Sequence, residues 1–236
     1  MSSNLYQALL STLVLFACPQ SEAFAQAPTP QKQVIEPEMV TVGNFSMGKY
    51  EVTVHQWQAV MADDPTIASQ IKTCGLDCPV VFINWADIQT YLSKLNQMTG
   101  KHYRLPTVAE WDQACGSGME FCGSNDLNSV AWYADNATKT THPVGQKQAN
   151  AKGIYDMSGN AGEVTSECFI FSRSGIDNSN ICTAYFSLGG TISNEARELH
   201  TTPQGGGPGA LPANRGMFTL LLPKGTNFNG FRLAHD

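Results

Sequence analysis

Helical periodicity is confined to the first half of this chain, and that asymmetry most limits what it can fold into. Within residues 52–61 the apolar side chains Val54, Trp57, Val60 and Met61 share one helical face, and Thr53 stands where a cap belongs. A longer helix is expected over residues 85–98, with Asn84 as its N-cap, Asp87 three residues on, Ile88, Leu92 and Leu95 along one side and Gly100 at the end. Thr107 and Glu110 have capping-box spacing ahead of Trp111, but Gly116 and Gly118 stop that helix early. Arg104 and Glu110 are expected to form a polar network that braces the second helix, with a substrate role as the alternative, because an unpaired charge there would be costly. Ahead of these helices, Met39-Val40-Thr41-Val42 and the following Gly43 to Gly48 read as strand, turn and second strand. From about residue 123 no helical period returns, so loops and short strands are expected there.

Composition agrees with a loop-rich domain. The chain has 236 residues, of which 42% are hydrophobic, enough to bury one sizeable core. With 14% charged residues, 21 glycines and 12 prolines, it is no helical bundle. A net charge of −6 supplies no basic stripe, which argues against nucleic acid or an anionic membrane surface as partner.

Residues 8–17 form an apolar run of signal-peptide length, too short to span a bilayer, and Ala23-Phe24-Ala25 suits cleavage after residue 25. An alternative reads Leu15-Phe16-Ala17-Cys18 as a lipobox, with Cys18 the lipidated N-terminus and the only route to membrane attachment. Residues 26–37, with three prolines, are expected as a linker, and residues 38–236 as the domain. Export to the periplasm or beyond fits the cysteines. Apart from Cys18, they fall into three close pairs, read as disulfides Cys74–Cys78, Cys115–Cys122 and Cys168–Cys182 that pin surface loops. Each is expected to contribute about 2 kcal/mol. No Cys-x2-Cys pair supports zinc instead.

Several segments together carry a resemblance: Glu51-Val52-Thr53, the run Tyr103-Arg104-Leu105-Pro106-Thr107-Val108-Ala109-Glu110-Trp111, Pro143-Val144-Gly145, Gly153-Ile154-Tyr155-Asp156-Met157-Ser158-Gly159-Asn160 with Glu163, Gly189-Gly190, and Gly230-Phe231-Arg232. In order and spacing they resemble the formylglycine-generating enzyme, or sulfatase-modifying factor, family. The resemblance implies an α+β domain with an irregular C-type lectin-like fold: two main helices, short antiparallel strands and many loops. It also implies calcium on the loop of Asn160 and Glu163, whose oxygens suit a hard cation. The family places tryptophans on both sides of this glutamate, where this chain has Gly162 and Val164.

Catalysis is where the likeness departs. Copper-dependent members use two cysteines downstream of a Gly-Gly pair, since soft thiolates select Cu(I). Here those positions fall on Asn194 and Leu199, so copper is not expected. His55, His102, His142, His200 and His235 stand singly and make no cluster for an iron site. The expected function is therefore that of a non-catalytic, exported member binding a protein partner in a bacterial envelope, as an accessory or toxin-neutralising factor. Two alternatives are an oxidoreductase-like enzyme that modifies a peptide by altered chemistry, and a glycan-binding module. The binding surface is expected on loops after residue 192, through Asn194, Arg197, His200, Arg215, Asn227 and Asn229. Residues 201–209 read as a flexible loop, and Met217 with Leu220 to Leu222 as a buried strand or, alternatively, a partner surface.

Overall fold

The computed structural model describes residues 34–62, 64–169, 184–199 and 228–236. Residues 32–236 form one compact unit. Strands β1 (Met39–Val42) and β2 (Phe45–Gly48) make the expected hairpin, with Val42 facing Phe45 across a two-residue turn. Gly43 comes first in that turn at φ +65°, the position where a tight hairpin needs a residue without Cβ. Strand β9 (Ala234–His235) pairs antiparallel with both β2 and β3 (Tyr103–Arg104), giving the sheet order β1-β2-β9-β3.

Helix α1 (Val54–Met61) is capped by Thr53 with Gln56, α3 (Trp85–Thr99) by Asn84 with Asp87, and α4 (Val108–Cys115) by Thr107 with Glu110; each pair closes a reciprocal capping box. Gly100 ends α3 in the left-handed conformation. Two helices lie outside the sequence expectation, α2 (Pro65–Thr73) and the single turn α5 (Leu127–Val130). In α2 the buried Gln70 accepts from Val81 N–H at 3.0 Å and donates to Val81 C=O at 2.7 Å, so a polar side chain replaces the missing strand partner of residue 81.

Strand β4 (Ala131–Trp132) runs parallel to β5 (Ser158–Gly159). Strand β6 (Gly162–Phe169) lies between β7 (Ala184–Leu188), antiparallel, and β8 (Asn229–Phe231), parallel. The substitution of glycine at residue 162 has a steric reason: a Cβ there would meet Asn229 Oδ1 at 2.4 Å and Ser187 Oγ at 2.6 Å. Val164 packs in the main core.

That core joins α1 and α3, with the rings of Trp57 and Tyr91 stacked at 5.2 Å and Phe231 edge-on to both. A second cluster gathers Trp111, Met47, Phe45 and Met157 around α4. The disulfides Cys74–Cys78 and Cys115–Cys122 are formed. Cys115 and Cys122 are buried members of the second cluster, so this bridge belongs to the core and does not pin a surface loop as expected. Cys168–Cys182 lies outside the described residues. The domain also begins earlier than residue 38: Val34 packs on the main core and Glu36 pairs with Lys101.

Candidate functional site

The turn after β7 is built by two glycines with positive φ, Gly189 and Gly190. A Cβ on Gly190 would stand 2.1 Å from Leu199 Cδ2, so the bare backbone is what lets the leucine pack directly over the turn. Asn194 organises the segment beyond the two glycines. Its Oδ1 accepts from Thr191 N–H at 2.7 Å and Thr191 Oγ1 at 3.0 Å, its Nδ2 donates to Glu198, and its C=O accepts from Ala134 N–H. Leu199 is buried against Phe121, Leu127, Val130 and Tyr133. The two positions where a copper pair would stand thus hold a turn-bracing amide and a core hydrocarbon. Neither supplies a soft donor, and the residues present do not fit copper.

The same geometry corrects the expected binding surface. Asn194 is buried, and Asn229 is buried with its Oδ1 accepting from Ser187 Oγ, so both serve the interior. Arg197 is exposed and pairs with Glu195. His200, Arg215 and Asn227 lie outside the described residues, as do residues 201–209 and 217–222.

Ile192 N–H donates to Asn160 C=O and ties this turn to a buried polar network. Asn160, fully buried at φ +57°, accepts from His142 N–H through Oδ1 and donates through Nδ2 to Glu51 Oε2 at 2.7 Å. Glu51 Oε1 accepts from Ala161 N–H at 2.8 Å. Glu163 faces the other way. Its Oε1 accepts from Arg232 Nη2 at 2.5 Å, and its Oε2 from Arg232 Nε at 2.9 Å and Trp111 Nε1 at 2.6 Å. Arg232 also donates from Nη1 to Gly48 C=O and from Nη2 to Tyr155 C=O. The side-chain oxygens of the expected calcium pair are thus engaged inside the protein and turned apart: the Glu163 carboxylate accepts from a guanidinium and an indole, and the Asn160 amide oxygen from a backbone N–H.

The carboxylate with an open oxygen is Asp156, 2% exposed. Its Oδ2 accepts from Gly145 N–H at 2.7 Å, while Oδ1 has no hydrogen-bond partner among the described residues. Burial pushes its pKa up to about 6, against the pull of the Gly145 amide and Arg232. Burial, then the neighbouring Asp156 and Glu163, hold the Glu51 pKa well above the usual carboxylate range. Glu51, Asp156 and Arg232 were visible only as parts of motifs. Their one available signal was charge inside otherwise apolar runs, as in Gly230-Phe231-Arg232-Leu233.

On the far side of α4, Arg104 forms a two-pronged pair with Glu110, at 2.7 Å for each contact, and also meets Asp236. The Arg104–Glu110 network is present, and it joins β3 to the first turn of α4 and not to the second helix. His142 stacks on Trp132 at 3.7 Å, with Lys147 Nζ 4.0 Å from the centre of the same indole.

Residues 20–217 match the family model described as sulfatase-modifying factor enzyme 1-like domain. The chain is 32% identical over 179 residues to the chaperone protein LppX of Paenibacillus barcinonensis, covering 52% of this chain and 62% of that protein. It is 32% identical over 108 residues to the formylglycine-generating enzyme of Bos taurus, covering 39% of this chain and 27% of the enzyme. It thus spans less than two thirds of the length of either curated relative. Among solved structures, variable protein 1 of Treponema denticola superposes with TM-score 0.65 at 20% identity, over 86% of this chain and 92% of that one. CarF gives 0.60 at 21% identity, over 86% and 94%. PvdO from Pseudomonas aeruginosa gives 0.58 at 18%, over 81% and 80%. These likenesses carry the fold, an irregular α+β domain of the C-type lectin-like kind, and the family match carries the assignment: the chain belongs to the sulfatase-modifying factor enzyme 1-like family.

Proposed function

We propose that this protein is a non-catalytic member of its family that works through protein contacts in an exported compartment, as an accessory or chaperone-like factor. One observation carries the reading: Asn194 and Leu199 occupy the positions of the two sulfur donors and are committed to a turn and a core. Reconverting them to a metal site would cost the structure both. The name of the Paenibacillus relative, a chaperone protein, points the same way. Two disulfides suit an oxidising compartment. Among the described residues no helix is long and apolar enough to cross a membrane.

The test is oxygen uptake by the purified protein with Cu(I) and a cysteine-containing peptide. Uptake at the copper-only background is expected, and turnover above it would overturn the reading.

A further inference from the structure

The two disulfides sit in different surroundings. Cys115 and Cys122 are each 4% exposed within the second cluster. Cys78 is buried as well, but its partner Cys74, just past the end of α2, is only half-buried. Both line a cavity of about 240 Å³ whose walls include the exposed Ser69 and Thr73, so a small thiol reaches this bridge from solvent. Access of that kind is what separates exchangeable bridges from inert ones.

The segment that the bridge closes is also held without it. Cys74 N–H donates to Gln70 C=O, the carbonyls of Cys78 and Leu76 accept from Val54 and His55, the N–H groups that open α1, and Asp77 C=O accepts from Val144 N–H. None of these bonds involves sulfur, and a bridge between residues four apart in sequence removes little entropy from the unfolded chain. A receptor for a released thiol is already in place. Thr141, 6% exposed, has its C=O 2.8 Å from Cys74 Sγ, and among the described residues no backbone N–H donates to it. Buried carbonyls are rarely left in that condition. A bridged sulfur carries no hydrogen, whereas a thiol is a donor, so opening the bridge gives this carbonyl the partner from the chain that it lacks.

We propose that Cys74–Cys78 is a site of thiol–disulfide exchange, opened in the folded protein by a dithiol, with Thr141 C=O receiving the Cys74 thiol. One thiolate of the dithiol attacks Cys74 Sγ, the more accessible sulfur; the S–S bond breaks, and Cys78 Sγ leaves with the electron pair and takes up a proton. The second thiolate then attacks the dithiol's own sulfur in the mixed disulfide. The dithiol departs oxidised, as a disulfide, and Cys74 Sγ takes up the second proton and turns it to Thr141 C=O. Two electrons and two protons pass from the dithiol to the bridge. No residue of the 189–199 turn takes part, so the inference stands apart from the non-catalytic reading.

In the experiment the purified full chain is held in native buffer with dithiothreitol, quenched in acid at intervals, capped with N-ethylmaleimide and mapped by mass spectrometry of its peptides. Capping at Cys74 and Cys78 is expected at least about tenfold faster than at Cys115 and Cys122, with the far-ultraviolet circular dichroism unchanged. Equal rates for the two bridges, or capping that begins only when urea unfolds the chain, overturns the proposal. In isotopically labelled protein the Thr141 carbonyl carbon is expected to move downfield on reduction, the direction of a gained hydrogen bond. Cys78→Ala, which leaves Cys74 a thiol without any reductant, is expected to show the same shift. A Thr141 resonance that stays in place in both the reduced wild type and Cys78→Ala overturns the receptor for the thiol.

Discussion

A guanidinium withdrawn from water survives only where its donors find acceptors, and Arg232 places four of its five N–H groups on Glu163, Gly48 and Tyr155. Removing one partner should be severe. Glu163→Gln is expected to cost about 3–5 kcal/mol in urea unfolding, because it strands a buried charge. Adding Arg232→Met to that variant should recover part of the loss, and a double variant no more stable than the single one would show that the pair is not the cause. From sequence, Glu163 reads equally well as a cation ligand or an ion-pair partner, since both need a carboxylate on a tight loop. What decides between them is a residue 69 positions away, which no local pattern connects. Asn194 was legible as a departure from a cysteine motif, yet its burial comes from Thr191 and Ala134 closing around it, a matter of tertiary packing.

Among the elements, the three helices that announced themselves did so through caps: Thr53, Asn84 and Thr107 each bond the backbone three residues on, a contact written in local spacing. Helix α2 was missed because its inward face includes Gln70, which breaks the apolar stripe. Gln70→Ala is expected to cost about 2–3 kcal/mol, since it leaves both backbone groups of Val81 buried without a partner; chemical denaturation measures it, and a loss under about 0.5 kcal/mol would mean that water takes over the bridge. The brace at α4 gives a pH dependence with a definite sign. Arg104, foremost, holds the Glu110 carboxyl below its ordinary range, so the folded state binds that proton less readily than the unfolded chain. The stabilisation is present above the unfolded carboxyl pKa, near 4.3, and is lost as pH falls through the lower folded value. Both partners are about a quarter exposed (26% and 20%), and solvent screening limits the effect to about 0.5–1 kcal/mol. Thermal melts from pH 6 down to about 3 should show a shallower decline in Arg104→Met than in the wild type.

For the molecule as a whole, the sequence told fold class and family through motifs spread over its full length, while the sheet order stayed hidden because it joins residues far apart. Strand β9 illustrates this: two residues near position 234 fill the gap between strands at 46 and 103. Phe231 seals the main core from the same segment, and Phe231→Ala is expected to cost about 3–5 kcal/mol, read as a lowered midpoint in urea. A chain made from its N-terminus holds β2 and β3 for most of its synthesis before the strand that belongs between them exists. Until then two unpaired edges face each other across a vacancy, inviting association with other chains. The position of one short strand therefore ties the closing of this sheet to the making of residues 234–235.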